Sequence, residues 1–279
     1  HIDAYFRITP GYSACIYDQV TFTKTGTAKL ANCVWDFGDG NYTSASDPTH
    51  AYNAAGTYTV TFSYTNNLGC SDQVSHDIFV FDHPDVDFSS SALSACINAE
   101  FEFFGSSADD IVSWQWDFGD GSTGAGQNVT HVYTTYGAIE VTLTVVATSG
   151  CESALTKTIF VAEPPTADFT YTIISCDSLQ FVDQSSAPQG FFLVEWMWDF
   201  GDGNTSNLQH PTHAYASPGF YEVLLVVTAD SAGLLCTDSV IKPVIAPGNP
   251  TVYFTFSPEP TCLGEPTSFF GASGNTITE

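Results

Sequence analysis

Basic residues are scarce in this chain: five Lys and Arg stand against 31 Asp and Glu in 279 residues, a formal net charge of −26. A surface of that sign repels phosphate and cannot release a polyanion's counterions, so nucleic acid is excluded as a partner. The chain also lacks the clusters of Lys and Arg that draw a protein to an anionic membrane face. Long apolar runs are missing too. The greasiest stretch, Gly190 to Trp198, is interrupted by Glu195 and falls short of the roughly 18 residues of a spanning helix, so membrane insertion is not expected. The eight cysteines include no Cys-x-x-Cys pair and no tight Cys/His group, which removes the ligand spacing of zinc and thioredoxin-like sites. Disulfides in an oxidising, extracellular compartment account for them better. There is no Gly-x-Ser-x-Gly elbow, no His-Glu-x-x-His and no phosphate-binding loop, so no enzyme is expected. The chain opens at His1 with neither Met nor a signal pattern, which reads as a processed product or an excerpt of something longer.

What the chain does have is repetition. Trp-Asp-Phe-Gly-Asp-Gly occurs at 35–40, 116–121 and 198–203, with periods of 81 and 82 residues. Fifteen residues after each Trp stands a His (His50, His131, His213), two further a Tyr (Tyr52, Tyr133, Tyr215), and at twenty-one a Gly (Gly56, Gly137, Gly219). After that Gly each copy alternates in one phase: Tyr58, Val60, Phe62, Tyr64; Ile139, Val141, Leu143, Val145; Tyr221, Val223, Leu225, Val227. Period two in β-branched and aromatic residues predicts a strand with one buried face. A turn at Gly69-Cys70, Gly150-Cys151 and Leu235-Cys236 then leads into a last strand. Upstream, each copy opens with a short Phe-bearing strand, a loop carrying a Cys, and a second strand. The spacing predicts an all-β chain of tandem immunoglobulin-like antiparallel sandwiches over 1–82, 85–163 and 166–246, with the first strands of an incomplete fourth over 250–279. Half a sandwich exposes strand edges, so the native chain is expected to continue. Short Pro-bearing linkers such as Glu163 to Thr166 favour end-to-end stacking as a semi-rigid rod.

The repeated residues read as structural. Trp35, Trp116 and Trp198 are expected to plug the cores, each with an N–H that needs a partner. The Asp-Gly pairs Asp39-Gly40, Asp120-Gly121 and Asp202-Gly203 are tight-turn signals. With Asp36, Asp117 and Asp199 they could instead form catalytic carboxylate pairs or calcium sites, but turn chemistry alone accounts for their recurrence. The three His lie in separate repeats and cannot converge on one metal; each is expected to bond a neighbouring carboxylate or carbonyl. Gly119 to Gly124 formally matches Gly-x-Gly-x-x-Gly, yet no helix follows it. No cofactor is expected. Calcium at the junctions is the one metal weighed, on Asp82, Asp85, Asp87, Glu163 and Asp168, and it falls short of the six to eight oxygens such a site needs. Asn41, Asn128 and Asn204 begin N-glycosylation triplets, and Asp177, Asp230 and Asp238 begin triplets of an O-glycosylation kind.

Trp-Asp-Phe-Gly-Asp-Gly followed by Pro-Thr-His-Ala-Tyr (48–52, 211–215) and Gly-Thr-Tyr-Thr-Val (56–60) resembles the PKD repeat, an immunoglobulin-like β-sandwich of extracellular proteins, over residues 2–246. The Gly-Cys turn and the Ala-Asp-Phe start at 167–169 resemble the PKD arrays of Bacteroidota surface proteins, gliding-motility adhesins among them. In a sandwich the loop cysteines (Cys15, Cys96, Cys176, Cys262) and the hairpin cysteines (Cys70, Cys151, Cys236) lie a strand length apart, whereas a disulfide needs Cα atoms within about 7 Å. Bridges between neighbours, Cys15–Cys151 and Cys96–Cys236, therefore compete with Cys15–Cys70, Cys96–Cys151 and Cys176–Cys236 inside each repeat. Cys70, Cys176 and Cys262 would then seek partners in further repeats, and Cys33 reads as a buried free thiol. The resemblance implies a stalk or shaft of a secreted cell-surface adhesin or filament, with neighbouring repeats, other shafts, surfaces or glycans as partners. The alternative is a set of ancillary polysaccharide- or protein-binding modules of a secreted hydrolase.

Overall fold

The computed structural model describes residues 4–26, 30–248, 252–257 and 268–273, and they divide into two compact units, residues 1–161 and 162–279. In the first unit the opening copy contributes β1 (Ala4–Thr9), β2 (Ser13–Cys15), β3 (Val20–Gly26), β4 (Leu30–Asp36), β5 (Tyr42–Thr43), β6 (Thr49–His50), β7 (Gly56–Asn66) and β8 (Ser71–Phe81). They form two sheets, β1-β3-β6 and β2-β8-β7-β4-β5. The second copy repeats the plan with β9 (Asp87–Ser90), β10 (Ser94–Cys96), β11 (Glu100–Ser106), β12 (Ile111–Asp117), β13 (Thr123–Ala125), β14 (Asn128–Val132), β15 (Gly137–Ala147) and β16 (Glu152–Ala162), in sheets β14-β11-β9 and β10-β16-β15-β12-β13.

The second unit holds β17 (Phe169–Ile173), β18 (Ser178–Asp183), β19 (Phe192–Asp199), β20 (Thr205–Ser206), β21 (Thr212–Ala214), β22 (Gly219–Ser231) and β23 (Leu234–Ala246), in sheets β17-β18-β21 and β20-β19-β22-β23. An antiparallel pair, β24 (Val252–Ser257) and β25 (Ser268–Ser273), follows. Cys262 and Glu279 lie outside the described residues. The fold is all-β, in three tandem immunoglobulin-like sandwiches.

Alternation sets which face is buried. Val60, Phe62 and Tyr64 of β7 point into the first core beside Trp35 and Phe22; Val141, Leu143 and Val145 of β15 do so beside Trp116; Val223, Leu225 and Val227 of β22 beside Trp198. The intervening neighbours on β7 and β15 carry Thr and Ser, which pair across the ladder, as Thr61 does with Ser75 and Thr142 with Thr156, whereas on β22 they are Leu224 and Val226.

Two expectations need correction. Cys15 and Cys96 do not sit in loops but on the short strands β2 and β10. The edge of the last strand offers unpaired backbone groups, and β2 takes them in parallel, Ser13 opposite Phe79 and Cys15 opposite Phe81. Among the described members of this set, Cys176 stays in a loop, between β17 and β18. The third hairpin does not turn at Leu235-Cys236. It turns three residues earlier, at Ala232 (φ 52°) and Gly233 (φ 91°), and Cys236 lies within β23 opposite Ala229. Both turn residues take the left-handed conformation of a two-residue hairpin, which Gly supplies without steric cost.

Candidate functional site

The repeated hexapeptide builds the same constellation three times. Each Trp, buried completely or nearly so, donates its indole N–H to a carbonyl ten residues on: Trp35 to Ala45 (3.1 Å), Trp116 to Gly126 (2.8 Å), Trp198 to Leu208 (2.9 Å). The first Asp accepts from the backbone N–H two residues ahead, Asp36 from Gly38, Asp117 from Gly119 and Asp199 from Gly201, all at 2.9 Å. The second Asp does the same at 3.0 Å, Asp39 from Asn41, Asp120 from Ser122 and Asp202 from Asn204. Its other oxygen meets a His ring: His50 to Asp39 and His131 to Asp120 at 2.7 Å, His213 to Asp202 at 2.8 Å. The ring stacks on the motif Phe, with centroids 4.2 Å apart for Phe37–His50 and Phe118–His131 and 4.1 Å for Phe200–His213. The following Tyr returns a hydroxyl proton to that Phe's carbonyl, at 3.0 Å from Tyr52 and 3.1 Å from Tyr133 and Tyr215. Between the two Asp, Gly is obligatory: a Cβ on Gly119 would stand 2.3 Å from the Glu140 carbonyl oxygen, with φ already at +77°.

One oxygen of each first Asp is committed to the turn, and both oxygens of each second Asp to the turn and a His. Burial alone would raise Asp120, but hydrogen bonds from Ser122 and His131 and the charge of His131 overcome it and hold the carboxyl at about 2. Asp39 and Asp202 are likewise held below the ordinary carboxylate range, burial being outweighed by bonds from Asn41 and His50, and from His213 and Asn204. A carboxyl depressed on folding contributes stability above its unfolded pKa, and that contribution is lost as pH falls through the folded value. Denaturant midpoints taken between pH 6 and 2 are therefore expected to fall with acidity. Asp120→Asn should flatten that slope by up to about 2 kcal/mol, since its folded value of about 2 lies well below the usual aspartate range.

Two of the acidic residues weighed as junction calcium ligands, Asp87 and Asp168, are engaged by lysines. Lys157 bonds Asp87 (2.6 Å) and the Phe88 carbonyl while lying 5.0 Å over the Phe88 ring. Lys242 does the same with Asp168, the Phe169 carbonyl and the Phe169 ring. The Asp85 N–H donates to Asp109. Among the described residues no group of three or more His, Cys, Asp or Glu is placed to hold a metal. No helix among them is long and apolar enough to cross a membrane.

The cysteines are divided in their roles. Cys15 and Cys151 form a disulfide with Cα atoms 5.7 Å apart, joining the first copy to the second. His83 of the linker lies beside it, Nδ1 at 2.7 Å from the Glu152 carbonyl and Nε2 at 3.2 Å from that of Ile16. Cys96 and Cys236 are not free. Cys70 and Cys176 are exposed free thiols, which overturns the competing pairs Cys15–Cys70, Cys96–Cys151 and Cys176–Cys236 inside each repeat; their register counterparts, Cys151 and Cys15, are bonded to one another. Cys33 is free but only half-buried, with Sγ 3.9 Å from the Ser44 carbonyl.

One groove was not legible in the motif. On the third copy a cleft of about 600 Å³ runs over β19 and β22, lined by Val194, Trp196, Met197, Leu208, Gln209 and Val226 among others. Its floor is held by Asp183, the one buried charged side chain among the described residues, which accepts from Trp196 Nε1 (2.7 Å) and Gln209 Nε2 (3.1 Å). The corresponding face of the first copy is lined more by polar residues, Asn32, Ser63, Thr65, Asp72 and Gln73. The insertion before Trp196 was the available signal; it leaves Phe192 exposed at the start of β19.

The sequence model of the PKD domain matches residues 8–80, 82–162 and 161–242. A microbial collagenase of Vibrio alginolyticus is 46% identical over 61 residues, which is 22% of this chain and 7% of that protein. The pre-pro-metalloprotease PrtV of Vibrio cholerae serotype O1 (strain M66-2) is 29% identical over 130 residues, 46% of this chain and 14% of that protein. The crystal structure of the PKD1 domain from Vibrio cholerae metalloprotease PrtV aligns with 30% of this chain and 99% of its own, at 26% identity and a TM-score of 0.26. The matched segments thus span 7% and 14% of the two curated relatives, which are a collagenase and a metalloprotease rather than the surface adhesins suggested by the narrower resemblance. With three matches running from residue 8 to residue 242, the chain belongs to the PKD-domain family of non-catalytic modules.

Proposed function

We propose that these three repeats are ancillary modules of a secreted hydrolase, engaging a polymeric protein or polysaccharide substrate away from the catalytic centre. The observation that carries this reading is the match to short segments of a collagenase and a metalloprotease, 7% and 14% of their lengths. The groove on the third copy supplies a surface suited to it. Its apolar rim is exposed, Leu208 at 67% and Met197 at 47%, with the polar Gln209 beside it. Disulfide chemistry supports an extracellular setting. The test is co-sedimentation of the oxidised chain with insoluble collagen and with cellulose or chitin. Retention on at least one polymer is expected, weakened about tenfold by Leu208→Asp with Met197→Asp, both of which leave the core untouched. No retention on any of them contradicts the reading.

A shaft of a cell-surface adhesin, with gliding motility as one setting, is the second reading. The bond from Cys15 to Cys151 favours it, because a covalent tie between sandwiches resists separation under tension. In that case other shafts, surfaces or glycans would be the partners, and the charge of −26 would keep neighbouring shafts apart.

A further inference from the structure

We infer that Cys70 and Cys176 are the two open rungs of a disulfide ladder, each closed by the complementary cysteine of a further PKD-type repeat of the same polypeptide. The Cys15–Cys151 bond sets the rule and its direction: the cysteine after the first strand of one repeat joins the hairpin cysteine of the next. Cys70 occupies the hairpin place. It follows Gly69 at φ +82° and its carbonyl accepts from Asn66 N–H at 2.9 Å, just as Cys151 follows Gly150 at φ +89° and accepts from Ala147 at 2.8 Å. Cys176 occupies the place of Cys15, between the first two long strands and against the motif Tyr. The Tyr215 N–H bonds Asp177, the residue after Cys176, at 2.9 Å, and the Tyr52 carbonyl accepts from Tyr17, two residues after Cys15, at 2.7 Å.

Neither thiol can be satisfied inside its own repeat by the same geometry. Cys15 lies opposite Phe81, at the far end of β8 from Cys70, and eleven residues of strand separate the two ends by about 36 Å. Both thiols are exposed and free while their counterparts are bonded, so each presents half of a junction whose other half is seen in Cys15–Cys151. The same polypeptide is the favoured source. The bond already formed is within one chain, and a five-residue linker, Asp82 to Val86, keeps the partners at high effective concentration. Residues 250–279 begin the repeat's pattern again, with β24 and then Cys262 in the sequence position of Cys15. Closing each rung joins two thiols: both S–H bonds break and one S–S bond forms, while the two protons and two electrons pass to a disulfide oxidant whose S–S bond breaks to give two thiols.

The test is a non-reducing peptide map of the native protein recovered from its source, with free thiols alkylated before digestion. The Cys70 peptide is expected to lose its alkylation and appear cross-linked to a peptide with a cysteine after a Phe-bearing first strand. The Cys176 peptide is expected cross-linked to a peptide with a cysteine in a last hairpin. Alkylation of either residue, a cap of a small thiol, or a Cys70–Cys176 bridge between molecules would overturn the inference.

Discussion

Trp116→Ala is expected to unfold the second sandwich while leaving the third intact. The Trp116 ring is 1% exposed, stands edge-on to Phe88 with centroids 5.1 Å apart, and packs on Phe103 at 5.6 Å. Truncation removes those contacts, opens a cavity, and leaves the Gly126 carbonyl without its 2.8 Å indole donor. Such a change costs about 3–5 kcal/mol, a large share of what a domain of this size has to lose. Calorimetry should therefore show one transition displaced or abolished, with the third copy's transition unchanged. A shift below about 1 kcal/mol would mean that the recurring Trp is not the core's plug.

Cys15→Ser should produce the second large effect, confined to the first unit. The bond to Cys151 closes a loop over a sequence separation of 136, and a cross-link of that kind contributes about 2–4 kcal/mol by restricting the unfolded chain. For a unit of this size that is a fall in Tm on the order of 10 °C. Reductant should lower the wild-type transition at least to the level of the oxidised variant. Cys70→Ser is the matched control, since that thiol is exposed and free, and it should change nothing in the isolated chain. Equal midpoints for wild type and Cys15→Ser would show that the two sandwiches gain no stability from the bond.

Much of this architecture was legible because each repeat states it independently. Alternation in β7, β15 and β22 names the buried face, and the hexapeptide with its His and Tyr names the turn and its braces. The inter-repeat bond was within reach too, because topology puts the two cysteines of one repeat at opposite ends of β8. What stayed hidden depends on distant partners or on backbone alone. The three residues of β2 carry no alternation of their own and become a strand only because β8 has an edge to pair. In the third hairpin, Ala232 takes a positive φ and two Leu precede the cysteine, so the turn hides in a run that reads as strand. Asp183 looks like an ordinary polar residue in a strand until Trp196 and Gln209, 13 and 26 residues on, reach it. His83 bonds carbonyls 67 and 69 residues away, which no local pattern foretells.

The central claim is that these modules serve a catalytic partner in the same polypeptide, and the domain content of the native chain tests it most directly. Intact mass and peptide sequencing of the protein purified from its source, with a protease and glycosidase assay on the same fraction, is the measurement. The account predicts a hydrolase domain in the polypeptide that carries these repeats. A native chain composed of such repeats and a surface anchor, without hydrolytic activity, would contradict it and establish the shaft instead.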